Sequence, residues 1–282
     1  MCKDAKLSRR GNTRHETCEL HRLPWQKLEI EPARIEQIRG RVSAMGKDLD
    51  PSKVRAARAA ADLVESGMVV GLGTGSTAAL MVQRLGERRE QDGLKIIGVP
   101  TSVATAVLAN HLRIPLRELD DISSLDMNLD GADEVDHQFR MIKGRGGALL
   151  REKIVACVAA RRVTIITNDK RVDRLGNIPI PVEVSRVGLK HTERRLQRLG
   201  AETSIRPLPS GELFLTDGGN AIIDCQFAEI ADPEELDARL QTVVGVFETG
   251  LFLGLCDLLV VGTEGGVEQL ASHARRNPGC GG

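Results

Sequence analysis

The residues of this chain that invite chemistry fall in three short stretches: Gly71-Leu72-Gly73-Thr74-Gly75-Ser76-Thr77, Asp130-Gly131-Ala132-Asp133-Glu134, and Lys143-Gly144-Arg145-Gly146-Gly147-Ala148 with Glu152 just behind it. In the first, glycines and hydroxyls join an apolar run, Met68 to Leu72, to a helical pattern opening at Ser76. The first amides of such a helix have no partner of their own and point past the strand, where they favour an anion. A dinucleotide site wants glycine or alanine where Ser76 stands and an acid closing the next strand, which here ends in Pro100-Thr101. The Gly-Lys-Ser/Thr of a nucleotide P-loop is missing as well. Hydroxyls plus amides suit the three oxygens of a terminal phosphate monoester. The competing reading is a turn that needs glycine for its backbone alone.

The acids at 130–134 close a second strand, and three roles fit them: helix caps, ligands for magnesium beside a phosphoryl group, or proton chemistry on a sugar. Glu152 taken singly is a first-turn acid favoured by its helix dipole, and Lys143 a solvated loop lysine. Taken together, a cation, a base and glycines that permit close backbone approach are what an enediolate intermediate requires.

The chain around these stretches has 282 residues, enough for one large domain or two modest ones, with 41% apolar and 28% charged residues as in a folded globular protein. Lys plus Arg and Asp plus Glu both number 39, so no excess positive field gathers a phosphodiester backbone, and 2% aromatics leave few platforms for stacked bases. Nucleic acid is not expected as a partner. Cys2, Cys18, Cys157, Cys225, Cys256 and Cys280 form no C-x-x-C pair and have no His at zinc spacing, which argues against a disulfide scaffold or structural zinc. The most apolar stretch, Val243 to Gly262, is interrupted by Glu248 and Asp257; it is too short to cross a bilayer and reads as buried core.

Residues 1–50 are basic at the start and poor in apolar periodicity, and read as a flexible extension; a transit peptide, or a true start at Met45, are the other readings. From Asp50 onward, helices and β-branched apolar strands alternate: helices from Pro51, Ser76, Ser102 and Leu149, strands near Val69, Lys95 to Val99, Met127 and Val163. Repeated βα units predict an open, parallel α/β sheet whose ligands gather at the strands' carboxyl ends. After Pro181 the rhythm changes to strand, helix at Leu189 to Leu199, strand at Glu202 to Arg206, a hairpin of Phe214 to Thr216 with Ala221 to Ile223, a helix from Pro233 and a strand near Val243 to Phe247. That is a small α+β unit inserted before the chain returns to the main sheet at Leu258 to Val261. The resulting division is an extension (1–50), a main unit (51–180 with 251–270), an insert (181–250) and a flexible tail (271–282).

From Ser52 to about Gln269 the sequence resembles ribose-5-phosphate isomerase of the A type, through Gly-Leu-Gly-Thr-Gly-Ser-Thr at 71–77, Asp-Gly-Ala-Asp-Glu at 130–134 and Lys-Gly-x-Gly-Gly-Ala...Arg-Glu-Lys at 143–153. Asn168-Asp169-Lys170 and Pro181-Val182-Glu183-Val184 extend it. The resemblance implies a cytoplasmic homodimer or homotetramer that interconverts D-ribose 5-phosphate and D-ribulose 5-phosphate without metal or cofactor. It implies a Rossmann-like open parallel sheet with an inserted ferredoxin-like α+β lid domain. By position, Glu152 corresponds to the base, Lys143 to the group that stabilises the oxyanion, Asp130 to the residue that assists ring opening and Asp133 to the one that orients hydroxyls. Lys53, Thr74, Gly75, Ser76, Thr77, Gly131, Ala132, Gly144, Arg145, Gly146 and Lys170 correspond to further substrate-binding positions. Arg145 departs from the glycine that many relatives carry. A sugar-phosphate sensor domain without turnover, and magnesium-dependent phosphoryl transfer by the 130–134 acids, are the alternatives from other classes.

Overall fold

The helix expected after Asp50 is α1 (Pro51–Ala61), started by the Asp50 carboxylate, which accepts from the Ser52 amide at 2.8 Å, and by proline in the first turn. The computed structural model describes residues 50–272. The expected extension and tail therefore lie outside the described residues, apart from Asp50, Ala271 and Ser272, as do Met45, Cys2, Cys18 and Cys280.

In chain order α1 is followed by β1 (Val69–Leu72), α2 (Ser76–Gln91), β2 (Ile97–Pro100), α3 (Val103–His111), β3 (Leu125–Gly131), β4 (Glu134–Val135), β5 (Met141–Ile142), α4 (Leu149–Val158) and β6 (Ala159–Thr167). Then come β7 (Ile180–Val184), α5 (Leu189–Arg198), β8 (Glu202–Ile205), β9 (Ala221–Gln226), α6 (Pro233–Gln241), β10 (Val246–Thr249), β11 (Leu251–Phe252), β12 (Leu258–Thr263) and β13 (Gly266–Ala271). The main sheet runs β13-β12-β6-β3-β1-β2, parallel throughout except for the antiparallel edge strand β13. This is the expected α/β sheet: strands buried on both faces are apolar and β-branched, and helices cover them. Its core unites Leu72, Met81, Leu85, Leu129, Ile165 and Val260 with the alanine face of α1, whose small side chains let the helix lie close to the sheet.

Strands β7 to β10 form a separate antiparallel sheet in the order β10-β7-β9-β8. With α5 and α6 this is a β-α-β-β-α-β unit with the first and third strands central, the ferredoxin-like arrangement. A third sheet, β11-β5-β4, is built from two-residue strands at the junction between the two larger ones.

Three local expectations are corrected. Residues 214–216 do not pair with β9; β8 does, with Ile205 opposite Ile223. The tight turn itself exists, since Gly219 donates to the Thr216 carbonyl at 2.9 Å, but tertiary contacts draw the preceding segment away from the ladder. The last strand of the insert starts at Val246 rather than Val243, because Val243 and Gly245 are used to leave α6. The stretch from Val243 is not uniformly core either: Val244 is 76% and Phe247 50% exposed, whereas Leu251, Phe252 and Val260 are buried. Among the described residues, no helix is long and apolar enough to cross a membrane.

Candidate active site

Parallel strands β1, β3 and β6 end side by side, so the turns that leave them meet at one rim. The turn after β1 is shaped by two glycine requirements. A Cβ at Gly73 would run into the backbone and carboxylate of Asp130, so only glycine lets β1 and β3 approach this closely. Gly75 caps α2 at φ +112°, which a side chain disfavours. The amides that open α2 then face a cavity of about 420 Å³ lined by Gly75, Ser76 and Thr77. Lys53, reaching over from α1, donates to the Ser76 hydroxyl at 3.2 Å and brings a cation to the same rim, and Lys170 lines it too. Thr74 lines the cavity, yet its hydroxyl is engaged inward, 2.7 Å from Thr101 Oγ1 and 2.8 Å from Ser102 Oγ. Its amide donates to Asp130 at 3.1 Å. Thr74 therefore braces the turn, and the adjacent Ser76 and Thr77 hydroxyls are the ones to offer a ligand.

At the cavity floor the Lys143 ammonium donates to the Gly131 carbonyl at 2.6 Å and stands 3.0 Å from Asp130 Oδ2 and 3.1 Å from Glu152 Oε2. All three charged side chains are buried. Both carboxylate oxygens are in ion-pair contact with the ammonium and, among the described residues, have no other hydrogen-bond partner. Lys143 is held from behind as well: its amide donates to the Gly250 carbonyl at 2.9 Å, and its ammonium lies 5.1 Å from the Phe252 ring centroid. Glu152 stands in the first turn of α4, where the helix dipole favours its charge.

Burial pushes the Glu152 carboxyl up to about 8; the Lys143 charge pulls the other way, and the Asp130 charge adds to the rise. Burial also raises Asp130, against the pull of Lys143 and of the Gly131 and Thr74 amides. Burial lowers Lys143, but the charges of Asp130 and Glu152 outweigh it, so the net shift is upward and the ammonium stays charged. A buried carboxyl poised near neutral pH beside a fixed cation is suited to taking a proton from carbon and returning it.

Every expected site residue but one lines this cavity: Lys53, Thr74, Gly75, Ser76, Thr77, Gly131, Ala132, Asp133, Lys143, Gly144, Arg145, Gly146, Glu152 and Lys170. Asp130 is the exception; it stands beneath Lys143, with Oδ1 receiving the Gly131 amide at 2.8 Å and the Thr74 amide. Asp133 accepts from the Arg145 amide at 3.1 Å. Ile166 and Thr167, at the end of β6, line the cavity without having been singled out in the sequence. The only signal for them is the rule that ligands sit at strand carboxyl ends.

A sequence model of the family described as ribose 5-phosphate isomerase A (phosphoriboisomerase A) matches residues 97–266. The chain is 52% identical over 218 residues to the ribose-5-phosphate isomerase A of Roseiflexus castenholzii, covering 77% of this chain and 93% of the relative. It is 50% identical over 229 residues to that of Gloeobacter violaceus, covering 80% and 99%. Among solved structures, a D-ribose-5-phosphate isomerase in complex with phospho-erythronic acid superposes with a TM-score of 0.76 at 38% identity, over 79% of this chain and 99% of that one. The ribose 5-phosphate isomerase A of Methanocaldococcus jannaschii does so with a TM-score of 0.75 at 40% identity, over 78% and 98%.

Proposed function

The chain belongs to the ribose 5-phosphate isomerase A family and catalyses that isomerisation in the pentose phosphate pathway, and from this premise we propose that Glu152 moves the proton between carbons while Lys143 stabilises the oxygen charge. In the open-chain aldose, Glu152 takes the proton from C2 as the C1 carbonyl becomes an enediolate oxygen, then returns it to C1. The hydroxyl proton at O2 leaves and one arrives at O1, which completes the ketose. The observation that carries this reading is the buried Lys143 ammonium 3.1 Å from Glu152, on the floor of a cavity whose rim holds helix-start amides, Ser76, Thr77, Lys53 and Lys170. The rim suits the phosphate; binding energy gathered there positions the distant carbons for proton transfer. Asp133 orients sugar hydroxyls. Asp130, beneath Lys143, assists ring opening by keeping that ammonium charged while the anomeric hydroxyl gives up its proton, the C1–O4 bond breaks and the ring oxygen takes up a proton to become the O4 hydroxyl.

The ligand of the related solved structure, phospho-erythronic acid, carries a phosphate and a carboxylate, the two charges that this rim and Lys143 would receive. The sensor alternative gives way to the isomerase activity of the relatives. In this mechanism the cation is Lys143, so purified protein with ribose 5-phosphate in excess EDTA is expected to form ketose at the rate seen without chelator. A loss of rate restored by magnesium would return the phosphoryl-transfer reading.

We further propose a cytoplasmic homodimer or homotetramer. A phosphorylated sugar does not cross bilayers unaided, so enzyme and substrate share a compartment. Self-association is supported by Ile154 and Val158, 45% and 49% exposed one helical turn apart on α4, and by the exposed Phe247 on β10, which packs beside α4. Sedimentation of the purified chain should give two or four times the mass of one chain, and a monomer at micromolar concentration would end this reading.

A further inference from the structure

Arg206 belongs to none of the motifs and does not line the cavity, but it holds the loop that does. It follows β8, and its amide is tied to the Ile222 carbonyl at 2.9 Å. Its guanidinium is gripped from the side by Asp224, with Nε 2.9 Å from Oδ2 and Nη2 on Oδ1. The remaining nitrogen, Nη1, donates to two successive backbone carbonyls, Gly144 at 3.0 Å and Arg145 at 3.1 Å. Phe214 lies 5.9 Å from the guanidinium carbon, and its ring fills the space a Cβ on Gly147 would need. The ferredoxin-like unit thus seizes both halves of the glycine-rich loop.

Peptide planarity turns that grip into orientation. In a trans peptide the carbonyl of one residue and the amide of the next point in opposite directions. Fixing the Gly144 carbonyl on Arg206 therefore aims the Arg145 amide away from it, onto Asp133 Oδ2 at 3.1 Å. Fixing the Arg145 carbonyl aims the Gly146 amide likewise away from Arg206, and Gly146 lines the cavity. Among the described residues this amide has no hydrogen-bond partner, which leaves it for a ligand. The Gly144 carbonyl also receives the Gly147 amide at 3.0 Å, closing a turn in which both glycines hold positive φ, at +101° and +83°; the guanidinium is the side-chain brace on that turn, and without it the Arg145 carbonyl loses the donor that fixes it.

We propose that Arg206, locked by Asp224, is a positioning residue for the isomerase: it fixes two peptide planes so that one amide orients Asp133 and the other faces the sugar. This deepens the reading of Glu152, Lys143 and Asp133 given above and rests on it.

The test compares Arg206→Met, which keeps the stem but removes the guanidinium and with it both bonds to the loop carbonyls, with Arg206→Lys and the parent enzyme. For Arg206→Met, kcat with ribose 5-phosphate is expected to fall about tenfold or more, as loss of orientation does. Competitive inhibition by inorganic phosphate, which reads only the rim of Ser76, Thr77, Lys53 and Lys170, should change less than twofold, and Arg206→Lys should recover part of the rate. Adding Asp133→Asn to Arg206→Met should cost less than it does in the parent, since both act on the same peptide. A kcat within twofold of the parent overturns the proposal. So does phosphate inhibition that weakens in step with kcat, or full additivity with Asp133→Asn. Should Arg206→Met not fold, Asp224→Asn, which frees the guanidinium without removing it, carries the same expectations at smaller amplitude. The underlying assignment fails separately: it falls if Glu152→Gln keeps its rate. A normal Arg206→Met beside an inactive Glu152→Gln strikes down only the role of Arg206.

Discussion

Glu152→Gln is expected to bind ribose 5-phosphate about as well as the parent and to turn it over at least about a hundredfold more slowly. The amide keeps the shape and the neighbours of the carboxyl but cannot hold a proton between C2 and C1, and positioned general bases are worth roughly 10²- to 10⁴-fold. The phosphate rim is untouched, so the loss should appear in kcat rather than KM. A variant with the parent's kcat would remove Glu152 from its role. The pH behaviour adds a second measurement. Because burial raises the Glu152 carboxyl from 4.5 to about 8, kcat/KM of the parent should climb with pH until that group is ionised, and the residual activity of the variant should lack this limb.

The same shift fixes the sign of a stability effect. A carboxyl whose pKa is raised on folding is held protonated more tightly in the folded state. It costs nothing below its unfolded value, costs progressively more as pH rises from 4.5 toward about 8, and costs its full amount above that. Glutamine escapes this cost. Glu152→Gln should therefore gain in thermal midpoint over the parent at pH 9 relative to pH 5, by an amount equivalent to a few kcal/mol at most. A difference that does not vary with pH would show that burial leaves the carboxyl unshifted.

The parts of the site legible in the sequence share a property: each is a local string whose role is set by its own strand end. Gly71 to Thr77, Asp130 to Glu134 and the loop from Lys143 are each continuous, and βα alternation alone places the turns after β1 and β3 on one rim. The contributions that escaped notice act across the chain. Thr167 ends an apolar strand and looks like core. Gly250 belongs to none of the motifs, yet its carbonyl receives the Lys143 amide. Arg206 is one arginine among many until Asp224 and the Gly144 carbonyl converge on it.

The misread hairpin has the same origin. Asp217 to Asn220 makes its turn, but the Asp217 carboxylate is taken by the Val103 amide at 2.7 Å and Thr216 Oγ1 donates to Glu183 at 2.9 Å. Those contacts to other parts of the fold outweigh the local preference of residues 214–216 for a strand. The two-residue strands of the third sheet are too short to carry any periodicity at all.

Lys143→Met is expected to be inactive and, unlike Glu152→Gln, unstable in a pH-dependent way. Removing the donor at the developing oxyanion should cost about 3–4 kcal/mol of transition-state stabilisation, some 10²- to 10³-fold in kcat. The structural penalty is separate. Asp130 and Glu152 are both buried within 3.1 Å of the ammonium, and a buried charge stripped of its partner costs roughly 3–5 kcal/mol. The carboxyls can relieve that cost only by taking up protons, which becomes easier as pH falls. Thermal midpoint should thus drop below that of the parent at pH 8 to 9 and recover toward pH 5, whereas Glu152→Gln moves above the parent over the same range. Combining the two substitutions should restore part of the stability lost in Lys143→Met, because one of the stranded carboxylates is gone, while turnover stays absent. If Lys143→Met were as stable as the parent at pH 9, the ammonium would not be compensating the two acids; a kcat near that of the parent would separately remove Lys143 from the enediolate.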